Sequence, residues 1–156
     1  MKRLEAHELR AWKALINAHA TAVERIEARL SEADLPPLGW YDVLWTLYRS
    51  DGRRLRPHEL AREVVVSRSW LSRLSDRLVK DGLVRREECP NDRRGMFLVL
   101  TDEGVAMLRR MWPVLEPAIR DHFVNHVACT TTLAEILEPI SAAGEAAEAP
   151  IALAPT

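Results

Sequence analysis

A long, unbroken seam of apolar side chains constrains this chain more than any other feature of its sequence. Leu9, Trp12, Ile16, His19, Val23, Ile26 and Leu30 follow alternating steps of three and four, and no Gly or Pro intervenes before Pro36-Pro37. The spacing predicts a helix over about residues 4–33. Such a helix is long for a chain of 156 residues, a length that suits one domain with one core. Part of its stripe is therefore expected to pack outside that core. A second seam runs through Val105, Leu108, Trp112, Leu115, Ile119, His122 and His126. Thr101 is placed to cap its helix, with Asp102 and Glu103 set against the positive end of the dipole. Pro113 and Pro117 fall inside the pattern and are expected to kink or break it. A short last helix should start at Thr132, in capping-box spacing with Glu135, with Leu133, Ile136, Leu137 and Ile140 as its apolar stripe. Helices over about 4–33 and 101–142, with no third long helix to cover them, predict a dimer interface. Residues 143–156 have little to bury and are expected to form a disordered tail.

The middle of the chain has a different grain. In residues 39–49 apolar side chains point every way: Trp40, Val43, Leu44 and Leu47 on one side, Tyr41, Trp45 and Tyr48 on another. Such a helix is expected to be buried all round. Pro57 opens a short helix, Val65-Val66-Ser67 makes a turn, and Arg68 to Asp81 forms a second helix ended by Gly82. Residues 83–87 and 96–100 read as two strands joined by the basic, turn-forming tip Cys89 to Gly95. The fold class is thus mainly α with a small β-hairpin wing: a winged helix-turn-helix over about 39–100, flanked by dimerisation helices, all within one domain of residues 1–142.

Charge follows the same division. Net charge is −1 overall, yet residues 49–95 carry 13 Lys/Arg against 8 Asp/Glu, while residues 96–156 carry 3 against 8. A positive middle between acidic ends fits one surface facing phosphates, although a solvated charged face has the same composition. Two cysteines are too few for a disulfide framework or a four-thiolate zinc site, and no apolar run is long enough to span a membrane. With no secretory leader pattern, the expected location is the cytoplasm. No Gly-rich phosphate loop, nucleophile elbow or zinc-ligand cluster is present, so an enzyme is not expected, nor a cofactor or metal.

Three segments resemble the MarR (multiple antibiotic resistance regulator) family: SRSWLSRLSDRLVKDGLVRRE at 67–87, the wing ending Asn91-Asp92-Arg93-Arg94-Gly95, and the return into Leu100-Thr101-Asp102-Glu103-Gly104. Arg56 departs from it, standing where the family often has Ser or Thr. The resemblance implies a homodimeric winged-helix transcription factor, usually a repressor released from its operator by a small ligand. Its partners would be double-stranded DNA, a second copy and a small aromatic or amphipathic effector, with no membrane. A winged helix that contacts protein instead of DNA is the competing reading, but it has no need of basic residues on both helix and wing.

Individual residues can be assigned on this basis. On helix 68–81, Leu71, Leu74 and Leu78 must face inward, leaving Ser69, Ser72, Arg73, Asp76 and Lys80 outward, with Arg68 and Arg77 at the margins. Small hydroxyls permit close approach to a major groove and Arg can pair with guanine in bidentate fashion, so Arg68, Ser69, Ser72 and Arg73 are the candidate base readers, with Arg77 beside them. A solvated amphipathic face would show the same pattern. Asp76, which phosphate would repel, is expected to pair with Arg73 or Lys80. An arginine on a projecting tip suits a narrow minor groove. The resemblance implies that Asp92 orients Arg94 there while Arg93 touches phosphate; a turn held by an Asp–Arg pair is the alternative. Asp42 is the only carboxylate of an apolar helix, and with Trp40, Tyr41 and Trp45 it marks a candidate effector pocket, to which the resemblance adds Trp12 from the dimer helices. A structural Asp42 bonded to a nearby arginine is the alternative. His122 and His126 are read as interface residues ahead of a metal pair, and Cys89 as an inert thiol.

Overall fold

The computed structural model describes residues 3–64, 68–89 and 92–147, with backbone alone at 68, 92–94 and 142–147. Helix α1 (Ala6–Glu32) starts where the Glu5 amide donates to Glu8 Oε2 at 2.7 Å. It ends as Asp34 turns to φ 55° ahead of the two prolines. The amide of Leu38 then donates to Glu27 Oε1 at 3.0 Å, so α1 itself supplies an acceptor for the first turn of α2 (Leu38–Arg49). A 3-10 turn leads into strand β1 (Arg54–Leu55) and helix α3 (Pro57–Glu63), with Pro57 in its first turn. Helix α4 (Arg68–Lys80) stops at Gly82, whose φ of +74° only glycine adopts without strain.

The wing is β2 (Val84–Cys89) and β3 (Asp92–Leu100), antiparallel, with β1 added along β3 opposite Val99 and Leu98. The two-residue β1 carries too little pattern to be read from sequence. The hairpin strands run further toward the tip than residues 87 and 96, so Asp92 to Gly95 are strand and not turn. A register shift between Glu88 and Cys89 marks the end of regular pairing.

Helix α5 (Asp102–His122) begins as predicted: Thr101 Oγ1 accepts from the Gly104 amide at 3.1 Å. The same hydroxyl donates to the Gly82 carbonyl at 2.7 Å, tying the start of α5 to the end of α4. A Cβ on Gly104 would sit 2.3 Å from the Leu83 carbonyl oxygen, so this approach requires glycine. Of the kink or break expected at Pro113 and Pro117, the break does not occur. Both lie on the exposed side of a continuous helix, where carbonyls deprived of an amide partner can take water, while the opposite side is held by packing. His122 is the last residue of α5, and His126 belongs to a separate 3-10 turn, so the two do not share a helical face.

The last helix, α6 (Thr130–Ala147), starts two residues before Thr132. Thr132 therefore lies inside its first turn and donates to Cys129 Sγ at 3.2 Å. The helix also continues past residue 142 into the segment expected to be disordered; Ala-rich sequence favours helix even with little to bury. The expected turn at 65–67, Pro90-Asn91 of the expected wing tip, and the expected tail from 148 onward lie outside the described residues.

Two apolar clusters hold these elements. The larger joins Leu44 and Leu47 of α2, Leu60 of α3, Leu71, Leu74 and Leu78 of α4, and Leu98 and Leu100 of the wing. The smaller joins Ile26 and Leu30 of α1 to Met111, Leu115 and Ala118 of α5. Only the C-terminal part of the first seam is thus covered; Leu9, Trp12 and Ile16, with Ile136 and Ile140 of α6, remain exposed. Helix α2 departs from expectation as well, since Trp45 and Tyr48 are exposed along one side.

Candidate nucleic-acid interface

Helix α4 is fixed by its apolar side. Leu71, Leu74 and Leu78 are buried, Ser75 turns its hydroxyl back to the Leu71 carbonyl at 2.8 Å, and Trp70 lies against Gly39 so closely that a Cβ there would meet its ring at 2.5 Å. What remains outward is Ser69, Ser72, Arg73, Asp76, Arg77 and Lys80, all exposed. Arg77 donates from Nε to Asp81 at 2.9 Å. Asp76 pairs with Arg86 of β2, and not with Arg73 or Lys80 as expected. The partner is on another element because the wing strand passes alongside the helix, a proximity that helical spacing cannot reveal. No ion pair holds Arg73 among the described residues.

The Asp76–Arg86 pair ties the wing to the outward face of α4. Between them lies a recess of about 270 Å³, lined by His58, Ala61, Ser72, Arg86 and Met96 among others. Asp92, Arg93 and Arg94 are at the start of β3, with backbone alone described, and Arg68 is likewise placed only by its backbone at the start of α4. The candidate readers therefore divide into a helix face carrying Ser69, Ser72 and Arg73 and a wing whose middle strand, β3, carries the two arginines near its start.

The aromatic site differs from its expected form. A groove of about 460 Å³ runs between α2 and α5, lined by Tyr41, Trp45, Tyr48, Val105, Leu108, Arg109, Trp112 and Pro113. Its rings are stacked in series: Tyr41 on Trp45 with centroids 6.1 Å apart, Trp45 on Tyr48 at 5.5 Å, and Tyr41 on Trp112 at 6.0 Å. Partial burial pushes the pKa of the Tyr41 hydroxyl above the usual tyrosine value. Of the five predicted residues, Tyr41 and Trp45 line this groove. Trp40 packs on the larger core cluster, the half-buried Asp42 is not among the lining residues, and Trp12 stands exposed on α1. Tyr48, Arg109 and Trp112 were missed. Tyr48 continues the i, i+4, i+7 row begun by Tyr41 and Trp45, and Trp112 sits on the α5 seam, so both carried a signal.

Neither cysteine lies in the groove. Cys89 accepts from Arg56 Nη2 at 3.3 Å, a neighbouring cation that sequence did not indicate, and hydrogen bonds from Thr132 lower the Cys129 thiol from its ordinary pKa. Among the described residues no three His, Cys, Asp or Glu side chains gather as a metal site, and no helix is long and apolar enough to cross a membrane.

Comparison with known proteins gives a consistent result. The pattern of the MarR family matches residues 33–95. The transcriptional regulator PrsX of Escherichia coli is 34% identical over 71 residues, 46% of this chain and 43% of its own length. The transcriptional repressor MprA of Escherichia coli K12 is 37% identical over 71 residues, 46% of this chain and 40% of its own. The match therefore spans less than half of these curated relatives. Solved structures extend further. The MarR family regulator Sco3205 of Streptomyces coelicolor, crystallised in complex with DNA, is 34% identical, with 96% of this chain and 92% of that one covered and a TM-score of 0.81. AbsC from the same organism, also a MarR family regulator, is 32% identical over 94% of this chain and 99% of its own, with a TM-score of 0.82.

Proposed function

The chain belongs to the MarR family of transcriptional regulators, which are not enzymes, and from that membership we propose that it is a homodimeric repressor that reads a palindromic DNA operator and is released by a small aromatic or amphipathic effector. One observation carries the reading: the exposed Ser69, Ser72 and Arg73 face of α4 is tied, through Asp76 and Arg86, to a wing whose middle strand, β3, bears Arg93 and Arg94 near its start. A protein-docking winged helix has no need of this pairing of a hydroxyl-and-arginine helix face with a basic wing. The presence of DNA in the Sco3205 structure favours the same reading.

In this mechanism α4 enters the major groove by its first turns. Ser69 and Ser72 allow close approach, Arg68 and Arg73 bond base edges, and Arg77 lies beside them. Arg94, oriented by Asp92, enters the adjacent minor groove while Arg93 neutralises phosphate. Leu9, Trp12 and Ile16 of α1 and Ile136 and Ile140 of α6 meet a second copy, which sets the two α4 helices about one turn of DNA apart. The groove between α2 and α5 takes a flat aromatic ligand against Tyr41, Trp45 and Trp112, with Arg109 near any anionic group it carries. Because α5 joins wing and dimer arm, a ligand that fits one spacing of the copies better shifts the dimer away from operator geometry. Such a protein works in the cytoplasm, on the chromosome.

The test is selection of bound sites from a random duplex pool. The expected product is a palindrome with half-sites about 34 Å apart, one helical turn. Absence of any enriched sequence overturns the reading.

A further inference from the structure

Sheet pairing divides the wing into two faces. Leu55, Val84, Leu98 and Leu100 turn toward the core, while Arg54, Arg85, Glu87, Phe97 and Val99 alternate onto the other side. At the centre of that outer side is the half-buried ring of Phe97. The guanidinium of Arg54 lies 4.9 Å from its centroid and that of Arg56 5.6 Å. Arg54 continues across to Glu87 of β2, Nη1 to Oε1 at 3.4 Å, and Arg56 to Cys89 at 3.3 Å. Both arginines thus run from the β1–α3 junction, over the middle strand, to the far strand.

That position has a mechanical consequence. Backbone pairing between β1 and β3 covers only Val99 and Leu98, so from Phe97 to the tip the wing is a two-stranded ribbon without a third strand beside it. A lone ribbon of this kind is marginal in water and free to twist. Arg56 also occupies the N-cap of α3, where Ser, Thr, Asp or Asn are preferred; its amide finds an acceptor in Glu59 Oε2 at 2.8 Å instead. A guanidinium has donors only and cannot cap the helix amides; the side chain of Arg56 lies against the wing, at Phe97 and Cys89.

We infer that Arg54 and Arg56, acting through the ring of Phe97, are positioning residues that set the angle of the wing relative to α4, and so decide whether the wing reaches the minor groove flanking the site read by α4. This inference rests on the DNA-reading function proposed above, but its mechanical half stands apart from DNA. Cation–π contacts of this exposure are weak singly, and two on one ring suffice to bias a flexible ribbon.

The test uses the full-length chain with Phe97→Leu, which removes the ring and changes no charge, and separately the pair Arg54→Gln and Arg56→Gln. Amide hydrogen exchange over residues 94–98 is measured without DNA. Both variants should exchange about five- to thirtyfold faster there, with the amides of α2 and α5 unchanged. In binding measurements at one fixed ionic strength, Phe97→Leu should lose about three- to tenfold in preference for A·T-rich over G·C-rich flanks while keeping the base preferences of the central half-site and the salt dependence. Combining Phe97→Leu with the arginine pair should add nothing to the flank effect. Unchanged exchange in Phe97→Leu overturns the inference. So does a loss spread evenly over all duplexes and confined to the arginine variants, which makes them phosphate contacts only. Failure of the unaltered chain to select any duplex instead overturns the regulator reading, and exchange still decides whether these arginines hold the wing.

Discussion

Leu78 and Trp12 are both apolar residues on the seam of an amphipathic helix, yet Leu78 is 0% exposed and Trp12 is 61% exposed. The contrast separates two regions of the molecule. From α2 through the wing, apolar faces find their cover in the same chain apart from the Trp45 and Tyr48 side of α2, and α4 is closed over by α2, α3 and the sheet. The arms, the first half of α1 and the start of α6, present equally regular stripes on which Leu9, Trp12, Ile16, Ile136 and Ile140 stay exposed among the described residues. A helix stripe of this kind is stable when it is covered, so the closed region carries its own specification while the arms, in the dimer proposed above, take theirs from a second copy.

The difference can be broken at either end. Trp12→Glu with Ile140→Glu puts charge onto the open stripes alone. Sedimentation should show monomer where the unaltered chain is dimer, and affinity for a two-half-site palindrome should fall about a hundredfold or more, because the second half-site no longer gains from the first. Leu78→Ala acts on the closed region, and urea unfolding should show a loss of about 2–5 kcal/mol, equal at high and low protein concentration. The arm variant's stability deficit should instead vanish at concentrations where the unaltered chain also dissociates. A monodisperse, fully stable monomer from the unaltered chain at any concentration removes the distinction.

Legibility in the sequence follows the same line. Within the closed region, periodicity and turn chemistry reported local facts that the fold retained: Leu71, Leu74 and Leu78 inward, Gly82 as a stop, Thr101 as a cap. Errors arose where the deciding neighbour lies far along the chain. Asp76 finds Arg86 and not a residue of its own helix, because strand β2 runs past α4. Cys89 finds Arg56 in the same way. Trp45 and Tyr48 look like core, but their side of α2 faces α5 across a gap, and only the tertiary packing leaves that gap open. Pro113 and Pro117 invite a break that packing of the opposite helix face overrules. The pocket was therefore half legible: Tyr41 and Trp45 from their row, while Trp112 and Arg109 come from a helix more than 60 residues away.

The distinction between satisfied and open also works at single side chains. Arg73 and Arg77 lie on the same helix, but Arg77 is held by Asp81 and Arg73 by no ion pair among the described residues. Arg73→Ala should therefore cost about 1–3 kcal/mol at one base pair of the selected operator and relax the preference there. Arg77→Ala should weaken all duplexes slightly and evenly, with its Asp81 partner freed. Profiling each variant against single-base operator changes at fixed salt separates the two, and equal profiles would mean that the Asp81 pair is of no consequence to reading.

The smallest effect belongs to the groove, which stands between the two regions because α5 serves both. With 1-naphthoate as probe, calorimetry should detect binding to the unaltered chain, since stacked rings and one arginine suit a flat aromatic anion. Trp112→Ala removes the ring stacked on Tyr41 and should weaken that binding about two- to tenfold, the range expected of one aromatic contact. Asp42→Ala should leave it unchanged, since Asp42 is not among the lining residues. Neither change should alter operator affinity without ligand, because neither residue belongs to α4 or the wing. Release of the operator by naphthoate should shift to higher ligand concentration in Trp112→Ala by the same factor as the binding, as linkage between the two sites demands. If Asp42→Ala abolishes the response and Trp112→Ala leaves it intact, the effector binds outside this groove, and α5 is only a strut between the arms and the wing.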